Sequence, residues 1–342
     1  MDQITKTLTE EFSLKEFQVA NTIKLIDEGN TIPFIARYRK EVTGELSDEI
    51  LRALSERLEY LRNIQAKKEE VLRLISEQDK LTPEVEAAIS AAKTITELDD
   101  IYRPFRPKRR TRATIAKEKG LEPLAELLLE QNPNAEAPES AALGFIDSEK
   151  GVETAEDALT GAMDIIAEQI SDNADYRKDL RELTYKQSTV ESKAAKDSES
   201  VYEMYYDFSE PTAKIANHRV LAINRGEKEG FLSVHLEMDE TAANNYLKRK
   251  VSSKRPTAAT EYVCTAAEDA YKRLIAPSIE TEIRNLLTDR AQEDAIKVFS
   301  KNLSGLLLQP PIKGSVVLGL DPGYRTGCKV AVVDATGRVL DT

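Results

Sequence analysis

The chain has 342 residues, of which 41% are hydrophobic and 32% are charged, and its formal net charge is −12. Glycine accounts for only 14 residues, which favours helices and argues against an all-β protein. No apolar run reaches the ~20 residues of a membrane span, the N-terminus lacks signal-peptide features, and the two cysteines form no metal or disulfide pattern. Composition therefore predicts a helical, cytoplasmic protein, and the acidic total counts against simple non-specific nucleic-acid binding.

The first helix is predicted from a capping pattern. Ser13-Leu-Lys-Glu16 has the Ser and Glu spacing of a capping box, and apolar residues follow it at helical spacing. Gly29 is placed to end this helix. Pro33 predicts a break at Thr31–Pro33, because proline disfavours the helical conformation in the residue before it.

A long helix is predicted after Ser47. Ser47 is a good capping residue, and apolar residues recur at three- and four-residue steps for about 30 positions after it. Thr82 and Pro83 then restart a helix, with proline in the first turn. Pro277 predicts a kink in a late periodic run. Further helices are predicted near residues 84–93, 121–131, 154–171 and 175–187.

Two changes in composition predict domain boundaries. Residues 188–200 carry few apolar side chains, and Pro310-Pro311 interrupts the last helical pattern. The predicted domains are a helical one over residues 1–200, a second helical one with a short strand segment over 201–312, and the start of a third over 313–342.

Strand patterns occur late in the chain. Asn217–Asn224 predicts a short helix, and Phe231–Leu236 predicts a strand after it. Ser315–Asp321 is a continuous apolar run, typical of a strand covered on both faces, and Cys328–Asp334 and Arg338–Leu340 are further candidates. Three strand fragments cannot bury both faces of a sheet. We therefore expect that a partner completes the sheet or, preferably, that the chain is a fragment of a longer protein.

The strongest charge feature is the basic segment, Arg103–Lys119. It holds eight basic residues against one acidic residue, and this net +7 leaves −19 for the rest of the chain. Such a density of cations can neutralise several phosphates of a nucleic acid. Alternatively, the segment braces the fold by docking on an acidic surface of the same protein. The predicted phosphate contacts are Arg103, Arg106, Lys108, Arg109, Arg110, Arg112 and Lys117.

A second, aromatic-basic segment lies at Phe34–Lys40. Its cations are interleaved with Tyr38, a pattern that can contact phosphates and stack a base. The alternative is an amphipathic bridge between two helices, with the first two side chains in the core. The candidate contacts are Arg37, Arg39 and Lys40.

The motif at Gly319–Gly327 is the one that suggests chemistry. An aspartate at the end of a buried strand, followed by a glycine turn, begins ribonuclease-H-like folds, where it points to a magnesium site. A similar pattern cradles phosphate in sugar-kinase and actin-like ATPases, and an aspartate that caps its own turn is the structural alternative. Asp321 alone cannot hold the metal ions. We therefore predict no catalytic residue, no metal site, no cofactor and no enzyme activity.

Other polar residues have structural explanations. Asp99-Asp100 and Glu156-Asp157 are predicted at helix N-termini, where the helix dipole favours carboxylates. His218 is expected to be a surface or packing residue rather than a base, and Cys264 a small core residue.

Four stretches together form a pattern that extends along the chain. They are Phe34–Gly44, Ile101–Ala113, Asn224–Gly230 and Leu318–Val330. In this order they resemble the Tex family of bacterial transcription accessory proteins, and the resemblance covers nearly the whole chain.

The resemblance implies a cytoplasmic nucleic-acid-binding protein that acts on transcription. It implies a helical N-terminal region with a helix-turn-helix-like part, followed by a YqgF domain of ribonuclease-H-like fold that begins near residue 314. The helix-hairpin-helix and OB-fold parts of the family are absent from this sequence. Asp321 matches the first-strand aspartate of the family, and its partner carboxylates would lie beyond Thr342.

The expected fold is thus mostly α, followed by the first strands of an α/β ribonuclease-H-like domain. The expected function is that of a transcription accessory protein whose helical scaffold contacts the phosphates of RNA, DNA or both, without sequence preference. The transcription machinery is a further expected partner, and no membrane is involved. The alternative is a protein-interaction scaffold whose nucleic-acid binding lies in the missing C-terminal domains. A third possibility is a ribonuclease-H-like nuclease at full length.

Overall fold

The computed structural model describes residues 3–196, 199–310, 313–323 and 327–342, and most of them are helical, as predicted. The chain divides into two compact units: the first comprises the residues up to Thr189 and Leu236–Ile283, the second Val190–His235 and the residues from Arg284 onward. The domain boundaries expected near residues 200 and 312 stay a prediction. Pro311 and residues 324–326 of the glycine motif lie outside the described residues.

The N-terminal helices correct one prediction. Helix α2 (Glu16–Asp27) is the helix expected after Ser13, and helix α1 (Gln3–Glu11), which precedes it, is an additional helix that the capping pattern does not predict. Ser13 does not cap a helix, because its backbone is left-handed, with φ at 52°, and lies in the turn between the two helices. Instead, the backbone N–H of Lys15 donates to the side-chain oxygen of Gln18 at 3.0 Å, and α2 begins at the following residue.

The next three helices are α3 (Ile32–Tyr38), α4 (Lys40–Thr43) and α5 (Asp48–Ser76). The break predicted at Thr31–Pro33 is confirmed only at Thr31, which is extended and precedes α3. Ile32 and Pro33 belong to the first turn of α3, where the missing N–H of proline costs no hydrogen bond. Ser47 caps α5, as predicted, and its hydroxyl accepts from the backbone N–H of Ile50 at 3.3 Å. Helix α5 has 29 residues and is therefore about 44 Å long.

The first unit continues with seven helices. They are α6 (Pro83–Ala91), α7 (Ile95–Tyr102), α8 (Arg112–Glu118), α9 (Glu122–Glu130), α10 (Pro138–Leu143), α11 (Ala155–Asp172) and α12 (Ala174–Gln187). Four of them, α6, α9, α11 and α12, confirm the periodic patterns of the sequence. Thr82 caps α6, and its hydroxyl accepts from Val85 N–H at 3.4 Å. Helix α11 packs against α8, α9 and α10.

The second unit begins with strand β1 (Thr189–Ala194), strand β2 (Asp207–Pro211), helix α13 (Asn217–Lys228) and strand β3 (Leu232–Glu237), and the strands form a sheet in the order β2-β1-β3. Strand β3 confirms the predicted strand. Strand β1 was not predicted, because its inward positions are only Val190 and Ser192. Helix α13 runs four residues past its predicted end. Gly226 lies in these additional residues and allows the helix to pack closely on β3, since a Cβ there would lie 2.6 Å from a methyl group of Leu232.

Helices α14 (Glu240–Val251), α15 (Ala258–Asp269) and α16 (Ala276–Leu307) follow, with a π-helical turn, Ala270–Ile275, between the last two. Pro277 was predicted to kink this run. The irregular turn ends two residues before Pro277, which cannot donate the usual backbone hydrogen bond to the preceding turn. The predicted irregularity is therefore confirmed, and the helix continues after it.

The C-terminal strands are β4 (Val317–Gly323), β5 (Gly327–Val333) and β6 (Val339–Asp341). They form an antiparallel sheet in the order β4-β5-β6, with Val317 opposite Val333. The three predicted strands are confirmed. All residues of β4 are exposed, so the described part of the chain does not supply the cover that the apolar run predicts. In that same part, no helix is long and apolar enough to cross a membrane.

Candidate nucleic-acid interface

Helix α5 positions the two predicted basic segments at its opposite ends. Near its start, Leu51 belongs to a buried cluster with Ile35 of α3, the helix that carries the aromatic-basic segment. Near its end, Ile75 belongs to a cluster with Tyr102 of α7, directly before the basic segment. At a rise of 1.5 Å per residue, these two anchor points on α5 are about 36 Å apart.

The basic segment begins with a tight turn, Arg103–Phe105, and continues through a loop into α8. The side-chain amide of Gln78, just after α5, donates to the carbonyl oxygen of Phe105 at 3.0 Å. Thr111 caps α8, because its hydroxyl accepts from the backbone N–H of Thr114 at 3.1 Å. The two ends of the loop are therefore fixed by local hydrogen bonds.

The inner cations of the segment pair with carboxylates of the same unit. Arg103 lies 3.5 Å from the carboxylate of Asp172, and Lys108 contacts Asp172 as well as Glu168, the latter at 3.4 Å. Arg106 lies 2.5 Å from Asp99. For Arg103 and Lys108, the geometry is that of the bracing alternative, whereas the pair of Arg106 is exposed and contributes little.

The outer cations of the segment point into solvent. Arg109 and Arg112 are exposed and form no ion pair among the described residues. Arg110 lies 3.4 Å from Glu118, but 73% of its side chain is exposed, and such an exposed pair contributes little. Lys117 pairs with Glu122 at 2.6 Å, also at the surface. Three arginines are thus available to an anionic partner.

A buried ion network anchors α7, the helix that leads into the basic segment. Arg177 has no exposed side-chain surface and donates from Nε to Asp100 at 2.9 Å. Arg181 bridges Asp100 at 2.8 Å and Glu282 at 2.7 Å, and Arg177 also pairs with Glu282.

This network corrects the prediction for Asp99-Asp100. The pair lies near the end of α7 rather than at its N-terminus, which Thr94 caps. Sequence spacing gave no signal for the network, because Arg177 follows Asp100 by 77 residues. In contrast, Asp157 does lie at a helix start, where it accepts from the Thr154 N–H at 3.0 Å, as predicted.

The network and its surroundings shift the pKa values of two side chains. Burial, together with the nearby charge of Arg177, lowers the pKa of Arg103 from its ordinary value. Burial acts to raise the pKa of Glu282, but the hydrogen bond from Arg181 and the charge of Arg177 outweigh it, so that this pKa is lowered. Glu282 is therefore held in its charged form.

The aromatic-basic segment forms an exposed patch that extends from α3 to the first residue of α4. The rings of Phe34 and Tyr38 are 5.2 Å apart, and the guanidinium of Arg39 lies 5.2 Å from the centre of the Phe34 ring. Arg37 lies 6.0 Å from the Tyr38 ring, of which 60% is exposed. Arg37, Arg39 and Lys40 are exposed and form no ion pair in the described ranges. Within the segment only Ile35 is buried, so the bridging alternative accounts for that side chain, while the three cations, one on α3 and two just after it, are exposed.

Asp321 lies in strand β4 and has no cluster of carboxylates around it among the described residues. It lies opposite Lys329 in the β4–β5 pair. Within the described ranges, no group of three potential metal ligands includes it. His218 is exposed, and Cys264 is half-buried beside the hydroxyl of Ser252, at 3.3 Å.

The fold and the two patches define a helical scaffold protein with exposed cationic surfaces, followed by the first strands of a further domain. Three family models match the chain: "Tex-like protein N-terminal domain" over residues 2–76, "Tex central region-like" over 133–299, and "Tex protein YqgF-like domain" over 315–342. The chain belongs to the Tex family, and the resemblance inferred from the sequence is confirmed. The helix-turn-helix-like part stays a prediction.

The sequence matches to named relatives extend along nearly the whole chain. "Transcriptional accessory protein Tex" of Neisseria gonorrhoeae is 40% identical over 347 residues, which cover 99% of this chain and 45% of the relative. YdcI of Bacillus subtilis is 48% identical over 341 residues, with 98% and 47% covered. The human "S1 RNA-binding domain-containing protein 1" is 31% identical over 356 residues, with 99% and 35% covered. The chain spans less than half the length of these relatives.

Proposed function

We propose that this chain binds RNA or DNA as part of a transcription accessory protein, through phosphate contacts and without catalysis. The observation that carries the proposal is the division of the basic segment. Its inner cations pair with Asp99, Glu168 and Asp172, whereas Arg109 and Arg110 remain exposed on a loop that is fixed at both ends, and Arg112 is exposed in the first turn of α8. A cation that serves only to brace the fold would be expected to have a carboxylate partner, whereas in the described ranges Arg109 and Arg112 form no ion pair and Arg110 forms only an exposed one, with Glu118.

The rest of the proposed interface is the exposed patch formed by the aromatic-basic segment. Arg37, Arg39 and Lys40 add phosphate contacts there, and the exposed Tyr38 ring offers a surface on which an unpaired base can stack. Phosphate contacts carry no base information, so binding is sequence-independent. Two relatives support the class of partner by their names, which refer to transcription and to an RNA-binding domain.

The proposed absence of catalysis is supported by the residues around Asp321. A two-metal nuclease site needs several carboxylates around its ions, and Asp321 has a lysine opposite it. We infer that this chain binds nucleic acid and leaves it intact.

The test is a binding titration of labelled single-stranded RNA and duplex DNA with the full chain at low salt. We expect binding that weakens in Arg109→Ala/Arg110→Ala and in Arg37→Ala/Arg39→Ala. RNA incubated with the protein and magnesium is expected to stay intact. Unchanged affinity in both double variants would contradict the proposal for these patches, and magnesium-dependent cleavage lost in Asp321→Asn would contradict the absence of catalysis.

A further inference from the structure

The first unit contains a groove of about 640 Å³ that the proposed nucleic-acid contacts do not use. It lies between helices α6 and α7 on one side and the start of α12 on the other. Its floor is apolar and is formed by Val85, Ala88, Ala92, Ile101 and Phe105. This volume lies within the range of about 300–1,000 Å³ that is typical of ligand pockets, which are lined mainly by apolar side chains.

The rim of the groove is acidic. Glu84, Glu97 and Asp175 line it, and Lys178 is the one cation among its lining residues. Lys178 lies 3.6 Å from Glu97 and offsets that charge. Asp175 is exposed and has no ion pair in the described part of the chain, and Glu84 is held at the start of α6 by its own backbone and Thr82. Two carboxylates therefore remain for a cationic ligand.

The other two carboxylates in the lining are already neutralised. Asp100 is held by Arg177 and Arg181, and Asp172 is held by Arg103 and Lys108. Because the charges of Asp100 and Asp172 are offset, only the carboxylates of the rim can attract a cationic ligand.

We propose that this groove docks an amphipathic helical segment of a partner protein, with large apolar side chains on the floor and lysine or arginine side chains at Glu84 and Asp175. An apolar groove takes the apolar face of such a helix, and the acidic rim selects basic flanking residues and rejects acidic ones. The same rim repels the phosphates of a nucleic acid, so the groove and the outer arginines take different partners. The proposal does not depend on nucleic-acid binding by the basic segment.

The groove adjoins the basic segment. Phe105 contributes to the floor and also belongs to the turn that opens the segment, and its carbonyl oxygen is held by Gln78. A docked helix would therefore lie beside the loop that carries Arg109 and Arg110.

The test uses the full chain and two labelled model peptides: a helical peptide of leucine and lysine with an apolar face, and the same peptide with glutamate in place of lysine. Two matched variants separate the groove from general charge effects. Ala88→Arg fills the floor, and Ala87→Arg adds the same side chain at the next position of α6, which does not line the groove. Both alanines are exposed, so both variants are expected to fold, and circular dichroism checks this.

We expect the lysine peptide to bind at least about tenfold more tightly than the glutamate peptide, because of the acidic rim. Ala88→Arg should weaken binding of the lysine peptide by about tenfold or more, since a filled pocket loses its buried contacts, whereas Ala87→Arg should leave it unchanged. Glu84→Lys/Asp175→Lys should reverse the preference between the peptides.

Several results would overturn the proposal. They are no binding of the lysine peptide, equal binding of both peptides, or equal effects of the two alanine variants. A loss of RNA affinity in Ala88→Arg alone would assign the groove to nucleic acid. A loss of self-association in that variant, seen by sedimentation, would assign it to a second copy of the chain.

Discussion

The Nε atom of Arg177 donates to a carboxylate oxygen of Asp100 at 2.9 Å, and the arginine side chain has no exposed surface. This contact joins α12 to α7, whose last residue precedes the basic segment. The loop that carries the outer arginines therefore starts from a fixed point. Its presentation depends on a buried ion pair between residues far apart in the sequence.

Arg177→Met is expected to destabilise the first unit by about 3 kcal/mol, because it leaves the buried Asp100 and the half-buried Glu282 with one cation fewer. Urea unfolding followed by circular dichroism measures this loss. Lys186→Met is the control, since its ion pair with Glu182 is exposed and contributes little. Equal unfolding midpoints for the two variants would show that the network does not hold α7.

The same network predicts a loss of stability in acid. The pKa of Glu282 is lower in the folded chain than its ordinary value of 4.5, so its contribution is complete above that value and is lost as the pH falls through the folded pKa. Glu282→Gln should be less stable than the parent at neutral pH and lose less stability between neutral pH and acid. Urea unfolding at a series of pH values measures both curves. The exposed Glu293→Gln should follow the parent, and a Glu282→Gln curve parallel to the parent would contradict this account.

Gly226 is expected to be essential to the packing of the second unit. A Cβ at this position would lie 2.6 Å from Leu232 and 3.1 Å from Tyr202, so Gly226→Ala should destabilise the unit by about 1–3 kcal/mol through overpacking. Gly305 is the matched control within α16, because nothing lies within 4 Å of its Cβ position. Gly305→Ala should be neutral or stabilising by up to about 1 kcal/mol, as expected for a helical glycine. Thermal unfolding measures both, and a stable Gly226→Ala would contradict the packing argument.

Tyr38 is expected to distinguish single strands from duplexes. Its exposed ring can stack on an unpaired base, and each such stack contributes about 1–3 kcal/mol, so Tyr38→Ala should weaken binding of single-stranded RNA about tenfold and of duplex DNA much less. Tyr60→Ala is the control, since Tyr60 also carries an arginine over its ring, at 5.0 Å, but lies outside the patch. Anisotropy titrations measure the affinities of the parent and of both variants for single-stranded RNA and for duplex DNA. Equal losses for RNA and duplex would exclude stacking by Tyr38.

The sequence predicts those features that depend on neighbouring residues. Ser47 caps the helix that it is expected to cap, and the helix predicted to restart at Thr82-Pro83 does so with Thr82 as its cap, because a cap needs only a hydroxyl and the backbone N–H three residues later. The capping pattern at Ser13 fails for a physical reason: the chain turns there, between α1 and α2, so that the apolar face of each helix can reach α5.

Features that depend on distant partners could not be predicted. Asp100 has the local surroundings of many surface carboxylates, and only the fold brings Arg177 and Arg181 to it. For the same reason, sequence alone left the basic segment open between bracing and binding. Arg103, Arg106 and Lys108 form ion pairs with carboxylates of the same unit, and the role of the predicted contact residues in binding stays a prediction.

The salt dependence of RNA binding tests the central claim most directly. The affinity for a single-stranded RNA is measured at several salt concentrations for the parent, for Arg109→Ala/Arg110→Ala, and for the control Lys186→Ala/Arg225→Ala, which removes the same charge from exposed ion pairs. If the outer arginines contact phosphates, the slope of log affinity against log salt should become shallower by about 1.4 in the first variant and stay unchanged in the control. Parallel lines for the parent and both variants would contradict the claim that this loop is a phosphate-binding surface.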